Sequence, residues 1–195
     1  TSSVKLVELG QSAAGEFVVE RFASEPFEKG WITDGQIEKF AAVAEAVKRV
    51  VSKSGTKTKN VAMAMPQSSV ITKKIMLPAG LREEELELQV ESEANQYIPF
   101  SLDEVSLDFC VIGPSATSVG DVEVLIAASR KDKVQDRQGL AEAAGLKPVV
   151  LDIESHAARL AMSRIVHALP NEGKDALVAL FEIGAETTSL KVLRD

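Results

Sequence analysis

The chain has 195 residues, enough for one large domain or two small ones. Its apolar fraction of 45% and charged fraction of 26% are those of a folded globular protein and exclude a disordered one. A net charge of −7 and an isoelectric point near 5.0 argue against nucleic acid, whose readers carry a basic face, and suit a basic partner.

Val4 to Leu9 alternates as a strand, and Glu16 to Phe22 reads as its return after the small, polar stretch 10–15. Pro26 and Gly30 mark a loop. Asp34 has the chemistry of an N-cap for a helix running to Lys53, with Ile37, Phe40, Ala44, Val47 and Val51 on one face. Asn60 to Met65 and Val70 to Leu77 are apolar runs, each closed by proline, and suit strands. Leu81 to Phe100 follows as an acidic amphipathic helix stopped by Pro99. Leu81, Leu86, Val90, Ala94 and Ile98 form its apolar face, and Glu83, Glu84 and Glu85 fill its first turn, where the helix dipole favours negative charge.

Val105 to Ile112 and Val122 to Ala128 read as strands, Lys131 to Ala144 as a helix closed by Gly145, and Lys147 to Asp152 as a strand. Glu154 to Ala168 is helical. Ala176 to Ile183 is so apolar that it predicts a strand covered on both faces, with Thr187 to Leu193 as its return. The order β-β-α-β-β-α-β-β-α-β-α-β-β predicts an α/β or α+β architecture. The stretch 70–152 is self-contained enough to be a small inserted subdomain. The chain opens on Thr1 directly before a strand and stops at Asp195 directly after one, so both ends read as cuts through a larger protein.

Cys110 lies in an apolar run between Phe109 and Val111 and is expected to be buried. A single cysteine rules out an internal disulfide and fits a reducing compartment. His156 and His167 are far from Cys110 in sequence, and no His/Cys/Asp set has metal-ligand spacing. Trp31 is expected to pack the long helix onto the sheet, the alternative being that it faces a partner. Two hydroxyl-rich turns feed strands, Thr1-Ser2-Ser3 and the segment 182–189. Such turns expose backbone N–H groups and hydroxyls that can cradle a phosphate, though on local sequence alone the plain hairpin turn is the favoured reading. Neither is a P-loop.

The segment from Glu93 through Tyr97-Ile98-Pro99-Phe100, followed by Leu102-Asp103-Glu104-Val105 and Leu107-Asp108-Phe109, resembles the signature of the PilM family. These are actin-like, FtsA-related cytoplasmic proteins of the type IV pilus assembly platform. Ser2-Ser3-Val4-Lys5 resembles the family's first phosphate-loop hairpin, and Phe181 to Ser189 its second.

The resemblance implies an actin-like lobe with a ribonuclease-H-type sheet and an inserted small α/β subdomain of FtsA-like type, cut before the second lobe. Residues 1–69 would begin the lobe (subdomain 1A), 70–152 would be the insert (1C), and 153–195 would cross to the second lobe's sheet. It also implies a scaffold holding the N-terminal cytoplasmic tail of PilN, alongside other platform proteins. Its place would be the inner face of the bacterial inner membrane, touched only through partners. Strand edges left by truncation allow a homodimer. Ser2, Ser3, Lys5, Gly184, Thr187 and Thr188 would bind nucleotide phosphates, while Glu182, standing for the family's aspartate, would position metal or water. ATP and Mg would belong to the complete protein. With one lobe only, this chain would hold neither tightly and is not expected to be an enzyme by itself. The rival reading is an ATP-hydrolysing or filament-forming actin homologue.

Overall fold

The computed structural model describes residues 2–174, 176–185 and 187–194. They divide into two compact units. The larger comprises Thr1–Pro66 with Asp136–Asp195, and the smaller is Gln67–Gln135.

In the larger unit, β1 (Ser3–Gln11) and β2 (Phe17–Pro26) form an antiparallel hairpin with an irregularity at Glu8 and Leu9. A second, minimal hairpin follows, β3 (Ile32–Thr33) and β4 (Gln36–Ile37). Here Asp34 is not a helix cap. Asp34 and Gly35 have φ of 49° and 80°, and two consecutive positive φ values are what a tight two-residue hairpin turn requires. Asp-Gly is the strongest short hairpin signal, and it overrides the capping role. The helix α1 (Phe40–Ser54) therefore starts six residues after Asp34, and Gly55 ends it in the left-handed conformation.

Its buried residues are Val43, Ala44, Ala46, Val47 and Val50. The face is thus turned slightly from the expected one, since Phe40 is exposed and Val51 only half-buried. Val43, Ala44 and Val47 meet Ile32 and Leu140 in a core against which Val4, Phe27, Trp31 and Ile37 also pack. Trp31 packs as expected, its ring 6.0 Å from that of Phe27.

Glu25 on β2 is buried and receives Arg49 Nε at 2.7 Å and the Lys53 ammonium, tying the hairpin to α1. The hydrogen bonds from Lys53 and then Arg49 hold its carboxyl below the ordinary 4.5. A lowered folded-state pKa stabilises the fold above the unfolded value, and that contribution fades as pH falls through about 4.5. Glu25→Gln is therefore expected to lower the thermal midpoint at pH 7. The gap to the parent should narrow at pH values below 4.5, as followed by circular dichroism.

β5 (Asn60–Met65) pairs in parallel with β9 (Lys147–Ile153). Between them in sequence runs α3 (Lys131–Ala143), whose Leu140 and Ala141 are buried. Arg137 of α3 donates through Nη2 to the Gly35 carbonyl at 3.1 Å. The stretch 136–152, grouped with the small subdomain in the sequence division, falls in the larger unit, where β9 finds its hydrogen-bond partner. The helix α4 (Glu154–His167) leads to β10 (Leu177–Ile183) and β11 (Thr188–Arg194), an antiparallel hairpin. Among the described residues, β1–β2, β5–β9 and β10–β11 are three separate two-stranded sheets. β10 is not covered on both faces as its composition predicted. Val178 looks toward α4, whereas Leu177, Phe181 and Ile183 are exposed, Ile183 by 82%.

The smaller unit is a three-stranded antiparallel sheet. Its order is β6 (Ile71–Pro78), β8 (Asp121–Arg130), β7 (Val105–Pro114), with α2 (Glu83–Tyr97) packed on one face. Val90, Ala94 and Ile98 recur every four residues and enter a core with Ile75, Leu77, Val105, Val124, Ile126 and Ala128. At the helix start the Glu85 carboxylate accepts the Arg82 backbone N–H at 3.0 Å and its guanidinium at 2.8 Å. At the far end Ile98 turns extended, at φ −91° and ψ 119°, because the ring of Pro99 disfavours helical geometry in the residue before it. Cys110 is exposed, contrary to expectation. Alternation along β7 turns Leu107 and Phe109 toward the core and leaves Cys110 on the opposite face.

Candidate phosphate site and the family fingerprint

Of the two hydroxyl-rich turns, the first enters β1. The Ser2 carbonyl accepts the Phe27 N–H at 2.8 Å, which fixes the strand's entry, and Lys5 is exposed two residues into β1. The second turn joins β10 to β11. Ile183 and Thr188 close it as a pair, and Gly184 N–H donates to the Thr187 carbonyl at 2.9 Å. A Cβ on residue 184 would stand 2.9 Å from that same carbonyl oxygen, so only glycine permits so close an approach. Thr1, Glu186 and Asp195, on which sequence expectations also fell, lie outside the described residues.

Glu182 is paired across the hairpin with Ser189. Its carboxylate accepts Lys191 Nζ at 2.7 Å and Ser189 Oγ at 3.3 Å. The Lys191 hydrogen bond and charge, then Ser189 and the charge of Lys5, hold the Glu182 carboxyl below 4.5. No hydrogen bond or ion pair links Ser2 or Ser3 to Gly184, Thr187 or Thr188 among the described residues. Lys191 and Ser189 were not singled out from sequence. The signal was present, because hairpin register places Ser189 opposite Glu182, and Lys191, two residues on, shares that face.

Lysines and hydroxyls at strand ends suit an anion such as a phosphate. A divalent cation fits less well. Glu182 is already neutralised by Lys191, and no group of three or more His, Cys, Asp or Glu able to hold a metal ion occurs among the described residues. A separate cleft of about 180 Å³ lies between α4 and the β10–β11 hairpin, lined by Arg159, Ser163, His167, Glu172, Val178 and Leu193. It is smaller than the roughly 300–1,000 Å³ usual for cofactor sites.

In the smaller unit, the segment Tyr97-Ile98-Pro99-Phe100 splits by side chain. Ile98 is only 7% exposed, whereas Tyr97 and Phe100 are 44% and 38% exposed. Lys73 Nζ lies 4.7 Å from the Tyr97 ring centroid and the Arg130 guanidinium 5.7 Å from that of Phe100. Nearby, the buried Ser129 donates to the Ser69 carbonyl at 2.7 Å.

The family model described as type IV pilus assembly protein PilM matches residues 1–195. The chain belongs to the PilM family. A solved structure described as the PilM–PilN type IV pilus biogenesis complex is 32% identical, with a TM-score of 0.81 over 99% of this chain and 55% of that one. This PilM-family chain thus spans just over half the length of that relative. A second solved structure is the cytoplasmic domain of EpsL, an inner membrane component of the type II secretion system of Vibrio cholerae. At 15% identity and a TM-score of 0.46, over 98% of this chain and 71% of that one, it adds no argument. Membership places this chain in a family described as type IV pilus assembly proteins, with a mixed α/β fold of actin-like type. No helix among the described residues is long and apolar enough to cross a membrane.

Proposed function

We propose that this chain serves pilus assembly as a scaffold that holds the N-terminal cytoplasmic tail of a PilN protein at the inner face of the inner membrane. The observation that carries the reading is the match to a PilM–PilN complex over almost the whole chain. The net charge of −7 supports it further, since an acidic surface suits a basic juxtamembrane tail. Calorimetric titration of the complete protein with a synthetic PilN N-terminal peptide is expected to give saturable binding that weakens as salt rises. No heat from a folded complete protein would sink the proposal.

A second reading concerns nucleotide. Lys5, exposed two residues into β1, supports a phosphate-binding role for the two turns, with Ser2, Ser3, Gly184, Thr187 and Thr188 as the other candidate contacts. ATP would be held by the complete protein and, in a scaffold, held without turnover. Lys5→Ala in the complete protein is expected to weaken ATP binding about tenfold or more, as for the loss of a charge-assisted hydrogen bond. Steady hydrolysis abolished by Thr187→Ala or Thr188→Ala would favour the enzyme reading instead.

A further inference from the structure

We propose that Met76 is a site of reversible oxidation, served by two hydroxyl donors on the neighbouring loop. The chain has four methionines. Met65 is buried, Met63 and Met162 are half-buried, and Met76 is 53% exposed. It lies on β6 between the buried Ile75 and Leu77, so alternation turns its side chain to the opposite, solvent-exposed face, open to a small oxidant. Ser115 Oγ lies 3.3 Å and Thr117 Oγ1 3.4 Å from Met76 Sδ, each within donating reach of it, and the two hydroxyls lie 3.3 Å from each other, so one can donate to the other and leave a sulfur lone pair open. Ser115 Oγ also accepts the backbone N–H groups of Thr117 at 3.2 Å and Ser118 at 3.1 Å, which holds the loop in place.

A thioether is a weak acceptor, so these hydroxyls gain little from it in the resting state. Oxidation changes that. With hydrogen peroxide as oxidant, a sulfur lone pair attacks one peroxide oxygen, the O–O bond breaks and an S–O bond forms. The proton on the transferred oxygen passes to the departing hydroxide, so water leaves. Sulfur loses two electrons and the peroxide gains them. Negative charge grows on the new oxygen beside sulfur, and the Ser115 and Thr117 hydroxyls turn from sulfur to donate to it, a stronger bond than any to the thioether. Interactions stronger in the transition state than in the ground state accelerate a step. The product is a polar sulfoxide in place of an apolar side chain, and methionine sulfoxide reductases reverse it.

The test is a peroxide time course on the intact chain, with peptide mapping by mass spectrometry. Met76 is expected to gain oxygen before Met63, Met65 and Met162, and reductase treatment to remove it. Thr117→Val spares the turn held by Ser115. It should slow oxidation at Met76 by about threefold, the effect of losing one weak hydrogen bond, and leave Met162 unchanged. Ser115→Ala removes the other donor together with the acceptor that holds the loop, so it should slow oxidation at least as much. Oxidation of Met76 no faster than of Met162, or an unchanged Met76 rate in Thr117→Val, overturns the proposal.

Discussion

Ile98→Ala is expected to destabilise the smaller unit by about 2–5 kcal/mol, the range for truncating a buried isoleucine. Ile98 is the last apolar residue of the α2 stripe, and it packs in the core formed with Val90, Ala94, Val105 and Val124. Val90 and Val124 are among the most deeply buried side chains of the chain, so little neighbouring structure can collapse into the void. Tyr97→Ala and Phe100→Ala should each cost less, about 1 kcal/mol or below. These rings are substantially exposed, and a surface cation–π contact contributes roughly 0.5–1 kcal/mol. Denaturant unfolding of the three variants checks the order. Equal losses at 97, 98 and 100 would mean that the fingerprint packs as one block, against the division seen here.

Leu140→Ala should remove a similar 2–5 kcal/mol, but from the other unit. Leu140 comes from α3 and fills the core made by Ile32, Val43, Ala44 and Val47. Native-state hydrogen exchange distinguishes the two variants, since units open with their own free energies. Leu140→Ala is expected to speed exchange in α1 and leave β8 protected, while Ile98→Ala should do the reverse. Loss of protection in β8 on truncating Leu140 would return the second half of α3 to the small subdomain, where the sequence division had it.

Much of the smaller unit was legible before any coordinates. The four-residue spacing of Val90, Ala94 and Ile98, the acidic first turn and the proline stop are all local signals. Each names its own physical cause. Errors arose where two local signals competed or where alternation left the phase open. Asp34 can cap a helix or, followed by glycine, turn a hairpin, and the hairpin won. Cys110 sits among apolar neighbours, yet strand alternation turned it outward while Phe109 went in. At the candidate phosphate site, the two turns were legible as turns from their glycine and hydroxyl residues, and Glu182 was named only by the resemblance. Lys191 was missed because its role depends on hairpin register across the Gly184 turn.

The sequence by itself determined the order of strands and helices apart from the short β3–β4 hairpin, the acidic start and proline stop of a helix expected over 81–100 and found at Glu83–Tyr97, and the family to which the chain belongs. Those features rest on periodicity, capping and turn chemistry, which act over a few residues. Only the tertiary structure decided that β9 bonds to β5, that α3 contributes Leu140 to the α1 core, and that Lys191 pairs with Glu182 across the hairpin. A ladder between distant strands, or an ion pair across a hairpin, is made by groups that chain closure brings together. Because the entropy of closing a loop grows only slowly with its length, no local pattern of residues announces which distant partner will be met.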